Sequence, residues 1–189
     1  MRSYHTDEKR LVKALKAGKP RAQRALYEML AGKMMVVCMR YARNREEAED
    51  ILQEGFVRVF RKIGTYQGTG SFEGWVRRVF SNVAIRHYQK NSRIHVVIGL
   101  DEIDYQLGES VLDRQYDQAH LMEMVQRLPD GYRMVFNLYA IEGYSHDEIS
   151  KKLDISVGTS KSQLSRARKA LQTMIEIDQN MNRNEISNG

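Results

Sequence analysis

The sequence has little of what builds disulfide-bonded, cysteine-ligated or membrane-spanning proteins. Its 189 residues include one cysteine, two prolines and one tryptophan. A single cysteine excludes a disulfide scaffold and a zinc site built from cysteines. The longest apolar runs fall far short of the roughly 20 residues of a membrane span, and the charged N-terminus, MRSYHTDEKR, is unlike a secretory signal. We therefore expect a soluble cytoplasmic protein with no direct insertion into a membrane.

Charge is distributed unevenly along the chain, although the net charge is only +6. Residues 1–98 hold 20 lysines and arginines against 9 acidic residues, whereas residues 99–121 hold one arginine against 6 acidic residues. Residues 122–172 are slightly basic again, with 8 basic and 6 acidic residues. Two basic blocks around an acidic connector indicate two domains and a linker. We place the domains at 1–95 and 121–176, a flexible acidic linker at 96–120 and a flexible tail at 177–189.

Apolar residues at helical spacing dominate the first block. The spacing predicts helices over 7–17, over 21–42, from Asn44 onward, and from Ser71 to about Gln89. Asn44 is a suitable N-cap because acidic residues, which favour the helix dipole, occupy the turn that follows it. Since the second block shows the same periodicity, we predict an all-α protein of two small helical domains.

A glycine-rich loop with polar and aromatic side chains stands directly before the arginine-rich fourth helix. Capture of unstacked bases requires aromatic and polar side chains to contact the bases and cationic side chains to neutralise the backbone. The alternative is an amphipathic helix with a solvated basic face. The candidate nucleic-acid contacts are Tyr66, Gln67, Thr69, Ser71, Arg77, Arg78, Asn82 and Arg86.

The second block predicts four helices, of which the last two are typical of a helix-turn-helix. The sequence SHDE, residues 145–148, is a capping box that starts the third helix. A short turn over 154–156 leads to a fourth helix that is polar and basic on its outer face. An ordinary helical hairpin is the alternative. In a helix-turn-helix the second helix enters the major groove, and we expect its exposed candidates for base or phosphate contacts to be Thr159, Ser160, Lys161, Ser162, Gln163, Ser165, Arg166 and Arg168.

Sequence patterns of enzymes are missing. Gly68, Gly70 and Gly74 give GxGxxxG rather than the dinucleotide pattern GxGxxG, and the chain has neither a phosphate-binding loop nor HExxH. Cys38 lies in an apolar run and is expected to fill the core. We predict no enzymatic activity, no cofactor and no metal.

Two stretches resemble extracytoplasmic-function (ECF) sigma factors of the sigma-70 family. Residues 44–89, with AEDILQEGF followed by SFEGW, resemble conserved region 2, and residues 128–171 are similar to region 4. Together they cover about half of the chain in the expected order. The first motif is the more specific, because other bacterial helix-turn-helix regulators share a pattern like the second.

The resemblance implies a protein that binds core RNA polymerase and directs it to promoter DNA. Region 2 would dock on the clamp helices of the largest polymerase subunit through Asp50, Gln53, Glu54 and Arg58. The loop 66–71 and the helix after it would open the minus-ten element, and region 4 would read the minus-thirty-five element. The linker would fit the RNA-exit path, and an anti-sigma protein, often bound to a membrane in this family, is an expected further partner.

Two residues depart from the family pattern. Ser160 stands where a small apolar residue is usual, and Ser165 where a bulkier one is frequent. Two other functions are compatible with part of the sequence: a helix-turn-helix regulator acting without a sigma role, and an adaptor that binds proteins only. The strand-opening loop beside an arginine-rich helix favours the sigma factor, because a simple repressor has no use for it.

Overall fold

The computed structural model describes residues 7–95 and 118–187, with side chains over 7–90 and 120–180. Every regular element in these residues is helical, so the all-α prediction is confirmed. A 3-10 turn, Ile63–Thr65, follows α3, and a π-helical turn, Asn137–Ile141, follows α6. The α-helices are α1 (Glu8–Lys16), α2 (Pro20–Tyr41), α3 (Arg45–Lys62), α4 (Phe72–His95), α5 (Gln118–Gln126), α6 (Asp130–Phe136), α7 (His146–Leu153) and α8 (Val157–Ser187).

The chain divides into two compact units, Met1–His87 and Tyr88–Gly189, which confirms the prediction of two helical domains. The predicted domain bounds stay predictions. Most of the predicted linker, 96–117, lies outside the described residues. None of the described helices is both long enough and apolar enough to cross a bilayer.

Local capping explains where the helices of the first unit begin. The side chain of Asp7 accepts a hydrogen bond from the Arg10 amide at 3.0 Å, and the side chain of Asn44 accepts one from the Glu47 amide at 2.8 Å. Pro20 occupies the first turn of α2, where its missing N–H costs nothing. The predicted N-cap at Asn44 is confirmed.

The core of the first unit is formed by the apolar faces that helical spacing predicted. From α3 it takes Ile51, Phe56 and Val59, and from α4 it takes Val76 and Phe80, all of them at most 3% exposed. Each such side chain stabilises the fold by about 1.5–3 kcal/mol relative to full exposure. The buried faces leave the opposite sides of α3 and α4 in solvent.

Gly55 allows α3 and α4 to approach closely. A Cβ atom built at Gly55 would lie 2.2 Å from a ring carbon of Phe80, closer than any real contact. The Phe80 ring also meets the Phe56 ring edge to face, with centroids 5.2 Å apart. A glycine inside α3 is therefore a packing requirement of the first unit.

Arg133 fixes the corner between α5 and α6 in the second unit. It is only 4% exposed, and its guanidinium donates to the carbonyls of Gln126 and Leu128 at 2.9 and 3.1 Å. A third hydrogen bond, 2.7 Å long, reaches the carboxylate of Asp130. These bonds satisfy carbonyls that the end of α5 leaves unpaired, so this buried charge has a structural role.

The described helix α8 is longer than the sequence predicted. It continues to Ser187, through residues 177–187 of the predicted flexible tail. Neither glycine nor proline occurs between residues 159 and 188, so the sequence contains no strong helix-breaking residue there. The tail prediction therefore differs from the structure over these residues.

Candidate nucleic-acid interface

The solvent side of α3 carries the four residues expected to bind polymerase. Asp50 and Gln53 are exposed, whereas Glu54 and Arg58 are partly buried. The Glu54 carboxylate accepts from Arg58 Nε at 3.2 Å and lies 3.0 Å from Nε2 of His87 on α4. The first two side chains extend into solvent. Glu54 is held by Arg58 on its own helix and by His87 on α4.

The pKa of Glu54 reflects two opposing effects. Partial burial alone would raise the pKa of this carboxyl, because it disfavours the charged form. The hydrogen bonds from His87 and Arg58, with the attraction of those groups, outweigh burial and hold the pKa of Glu54 below its ordinary value. The solvent side of α3 therefore presents a stable carboxylate.

The loop between α3 and α4 is shaped by two glycines and one tyrosine. Gly68 and Gly70 have φ values of +78° and +75°, which side-chain-bearing residues rarely adopt. The Tyr66 hydroxyl donates to the Gly70 carbonyl at 3.0 Å and so closes the loop. The candidate residues Gln67, Thr69 and Ser71 are exposed around it.

Tyr66 itself is placed differently from the expectation of a loop side chain open to bases. It is 5% exposed, and its ring lies 5.1 Å from that of Phe72 and 5.5 Å from that of Trp75. Burial of the Tyr66 ring against these two rings is more favourable than its exposure to solvent. In this conformation Tyr66 supports the loop rather than offering a face for stacking.

The exposed face of α4 runs on from this loop. Ser71 begins the helix, because its hydroxyl accepts from the Gly74 amide at 3.2 Å. Arg78, Asn82 and Arg86 follow at intervals of four residues, so they share one helix face, and all three are exposed. Arg77 is half-buried on a neighbouring face. The structure thus joins the exposed loop residues to a polar and cationic stripe.

In the second unit, α7 and α8 form the predicted helix-turn-helix. The capping box is confirmed: the Ser145 hydroxyl caps the Glu148 amide, and the Glu148 carboxylate accepts from the Ser145 amide at 2.9 Å. Asp154 ends α7 in a left-handed conformation with φ of 58°. The turn is sharp because this residue reverses the chain directly after α7.

Ser156 and Thr159 start the second helix of the motif. The Ser156 hydroxyl accepts from the Thr159 amide at 2.9 Å, and the two hydroxyl oxygens lie 2.8 Å apart. The Thr159 hydroxyl, a candidate for DNA contact, is thus used in the helix cap. Ser156 was not predicted as a functional residue, although serine is a favoured residue at the N-cap of a helix.

The outer face of α8 carries most of the predicted contacts. Lys161 and Ser162 are exposed, and Ser165 and Arg166 are half-buried at positions on the same side of the helix. Lys161 and Arg166 supply cationic donors, and the two serines supply hydroxyls. This is a surface that can hydrogen bond both base edges and phosphates.

Two further candidates on α8 are engaged within the unit. Gln163 lies against Gly131 of α6, where a Cβ atom would come within 3.1 Å of its amide nitrogen. The Arg168 guanidinium lies over the ring of Tyr139, 5.8 Å from its centroid, while the residue stays exposed. Gln163 is directed toward α6, and Arg168 keeps access to solvent.

The expectation that Ser160 is exposed is wrong. Ser160 is 0% exposed, and its hydroxyl oxygen lies 2.9 Å from Nδ1 of His146 on α7. The His146 ring stacks on Tyr139 with centroids 4.5 Å apart. A buried hydroxyl requires a partner, and His146 supplies it. Ser160 therefore joins the two helices of the motif instead of contacting DNA.

The described residues contain no group of three or more histidine, cysteine or acidic side chains placed to hold a metal ion. Cys38 is 1% exposed, as predicted for a residue of the core. Burial raises the pKa of the Cys38 thiol to about 12, so the reactive thiolate is scarce at neutral pH.

Comparison with protein families agrees with this geometry. The Sigma-70 region 2 family matches residues 26–94, and the Sigma-70, region 4 family matches residues 119–171. The first range contains α3, the loop and all of α4 except its last residue, and the second contains the helix-turn-helix. The candidate residues on α3, on the loop with α4 and on α8 all lie inside the matched ranges.

Similar curated proteins are ECF sigma factors and a related sigma factor. The chain is 32% identical over 146 residues to the ECF RNA polymerase sigma factor SigE of Mycolicibacterium smegmatis, covering 75% of this chain and 56% of that protein. It is 28% identical to the ECF RNA polymerase sigma factor SigW of Bacillus subtilis, covering 88% of this chain and 96% of that protein. The RNA polymerase sigma-H factor of Pseudomonas aeruginosa is 25% identical, with coverage of 89% and 94%.

Comparison with solved structures gives matches with TM-scores under 0.5. CnrH, in complex with the cytosolic domain of CnrY, gives a TM-score of 0.47 at 19% identity and covers 89% of this chain and 96% of its own. RpoE of Bartonella quintana, in complex with the anti-sigma factor NepR, gives 0.48 at 16% identity, with coverage of 82% and 97%. On the two family matches and the curated relatives, the chain belongs to the ECF group of the sigma-70 family and serves promoter-directed transcription initiation.

Proposed function

We propose that the two units divide the work of initiation among three surfaces. The outer face of α3 binds core RNA polymerase, the loop 66–71 with α4 opens the minus-ten element, and α8 reads the minus-thirty-five element. The observation that carries this proposal is the presence, in one chain, of a capped helix-turn-helix and a separate unit in which an exposed polar loop continues into a cationic helix stripe.

The polymerase contact rests on the side of α3 that the fold leaves in solvent. Asp50 and Gln53 reach outward there, and Glu54 and Arg58 are ordered by their contact with each other. Fixed charged groups lose less side-chain entropy on docking than mobile ones. This face suits the clamp helices of the largest subunit, which the family resemblance implies as its partner.

Strand opening is assigned to the exposed residues of the loop and of α4. Flipping a base out of the duplex costs a few kcal/mol, which contacts to the displaced strand must offset. Gln67, Thr69 and Asn82 can hydrogen bond an extruded base, while Arg78 and Arg86 neutralise phosphates. Tyr66 supports the loop through the hydrogen bond from its hydroxyl to the carbonyl of Gly70.

Upstream recognition is assigned to Lys161, Ser162, Ser165 and Arg166. In a helix-turn-helix the outer face of the second helix enters the major groove. Arg166 and Lys161 can pair with guanine edges or phosphates, and the serines are less selective. Arg168, which lies further along α8, is assigned to a phosphate.

Regulation and location follow the family resemblance. An anti-sigma protein, which in this family is often bound to a membrane, is proposed as the partner that holds the factor inactive. The factor itself acts in the cytoplasm, where polymerase is, and it contributes binding rather than catalysis of its own.

Reconstitution with purified core polymerase tests the proposal. The protein added to core should support initiation from discrete start sites in a genomic library, and core alone should not. A helix-turn-helix regulator without a sigma role would instead bind duplex operators tightly in the absence of polymerase. Tight binding of that kind with no programmed initiation would contradict the sigma assignment.

A further inference from the structure

Helix α1 presents a row of lysines that the family matches do not cover. Lys9, Lys13 and Lys16 are exposed, and their spacing places them along one side of the helix. The other side packs into the core through Leu11 and Leu15, which are 1% and 3% exposed. The region 2 match begins only at residue 26, so the comparison assigns no role to this row.

The lysine row ends at the loop proposed to open the minus-ten element. Lys16 Nζ donates to the carbonyl oxygen of Tyr66 at 2.7 Å, and α1 also packs against the 3-10 turn Ile63–Thr65. Along the helix axis Lys13 lies about 4.5 Å, and Lys9 about 10.5 Å, from Lys16. The row is therefore continuous with the base-capturing loop.

Neither Lys9 nor Lys13 forms an ion pair within the described part of the chain. The acidic residues of this segment, Asp7 and Glu8, stand at the far end of α1, and Asp7 caps the helix. Among the described residues, these two ammonium groups therefore have no anionic partner. A row about 10 Å long matches about three phosphates of a nucleic-acid strand, which carries one charge per 3.4 Å in the duplex.

We propose that the α1 row binds the sugar-phosphate backbone of promoter DNA next to the opened minus-ten element. This inference rests on the proposed function, because it extends the same DNA surface beyond region 2. Lys9 and Lys13 contact phosphates, and Lys16 is a positioning residue that holds the loop through the Tyr66 carbonyl. The row lengthens the interface without reading sequence, since phosphate contacts carry no base information.

The salt dependence of promoter binding tests the proposal. Holoenzyme is assembled from core polymerase and either the natural protein or the Lys9→Ala/Lys13→Ala variant. Its affinity for a promoter fragment with a pre-opened minus-ten segment is measured over a range of KCl concentrations. Each phosphate contact to a single strand contributes about 0.7 to the slope of log affinity against log salt. Loss of two contacts should therefore make the slope shallower by about 1.4.

Two matched variants serve as controls. Lys9→Arg/Lys13→Arg keeps the charge and should keep the slope. Arg43→Ala/Arg45→Ala removes the same charge from exposed positions just beyond the other end of α2, a helix of 22 residues and about 33 Å. Its slope should stay within experimental error of the natural protein.

The outcomes separate this inference from the function on which it rests. If the natural protein never programmes initiation, the proposed function fails. If it initiates but the slope of Lys9→Ala/Lys13→Ala is unchanged, the α1 inference is wrong. If that variant instead binds core polymerase more weakly, with the DNA slope intact, the row contacts an acidic surface of polymerase, and the DNA inference is again overturned.

Discussion

The pair of Ser160 and His146 shows how one buried hydroxyl can orient the helix that we propose reads DNA. Ser160 lies in the first turn of α8 and His146 in the first turn of α7, so their 2.9 Å contact links the starts of both helices. The side chains proposed to touch DNA lie within the next two turns of α8. The angle at which they are presented therefore depends on this contact.

Breaking the pair from one side should destabilise the second unit. In His146→Phe the stack on Tyr139 is kept, but the hydroxyl of Ser160 is left buried without its partner, at a cost of about 1–3 kcal/mol. In the double variant with Ser160→Ala no polar group is stranded, so most of the loss should be recovered. The measurement is urea unfolding followed by far-UV circular dichroism.

The single tryptophan supplies an internal control for this double-mutant cycle of His146→Phe and Ser160→Ala. Trp75 lies on α4 in the first unit, so its fluorescence transition should not move in any of the three variants. If the effects of the two single substitutions simply add, the contact carries no coupling, and the proposed link between the helix starts is absent.

The close approach of α3 and α4 makes Gly55 a sensitive position at the scale of helix packing. Gly55→Ala drives a methyl group into the Phe80 ring, and such overpacking costs about 1–3 kcal/mol. Trp75 fluorescence during urea unfolding should report this loss. Gly32→Ala is the matched control: it lies inside α2 with nothing within 4 Å, and it should stabilise the helix by about 0.5–1 kcal/mol.

The contact of Glu54 with Arg58 and His87 predicts that the stability of the first unit depends on pH in the acid range. The pKa of Glu54 is lowered in the folded protein from its ordinary value of 4.5, so its stabilising contribution is complete above that value. The contribution is lost as the pH falls through the lowered pKa. Because the Glu54 side chain is 37% exposed, solvent screening keeps the effect below about 1 kcal/mol.

Glu54→Gln should remove the part of the free energy of unfolding that depends on ionisation of this carboxyl. The urea midpoint of the Trp75 transition, measured from about pH 6 down to about pH 3, should fall less steeply in the variant than in the natural protein. Parallel curves for the two proteins would show that the carboxylate contributes nothing to folding. Glu49→Gln, on the same helix with its own i to i+4 partner, tests whether any surface pair has the same effect.

Helix starts could be predicted from the sequence because their causes are local. Asn44 and Ser145 cap residues only three positions away, so the sequence window contains both partners. Ser160 could not be placed in this way, since its partner His146 lies fourteen residues earlier on another helix. Tyr66 was misplaced for the same reason, because its burial depends on how Phe72 and Trp75 fold back over it.

At the scale of the whole molecule, separate surfaces on two units should give separable defects. Arg166→Ala should weaken binding to promoter fragments that carry the upstream element by about 1–3 kcal/mol if its contact is bidentate. Asn82→Ala should leave that binding intact and reduce strand opening. Duplex affinity and permanganate reactivity of the opened strand are measured with the same holoenzyme preparations.

Lys161→Ala and Arg78→Ala extend the comparison with one further residue on each surface. Lys161→Ala should weaken upstream binding, as Arg166→Ala does, and Arg78→Ala should reduce strand opening, as Asn82→Ala does. Equal losses in both assays for all four variants would show that the surfaces do not act separately. Tyr66→Phe, which removes only the hydroxyl bonded to Gly70, should reduce opening by loosening the loop.

The unbroken course of α8 makes the protein suitable for site-specific labelling. Asn180 is exposed on the same helix as the side chains proposed to contact DNA, about 35 Å along the axis from Val157. The single native thiol, Cys38, is buried with a pKa raised to about 12, so it reacts poorly with maleimides. A dye on Asn180→Cys would therefore be carried by the helix that we propose enters the major groove, and its anisotropy would report the binding of that helix to a promoter in real time.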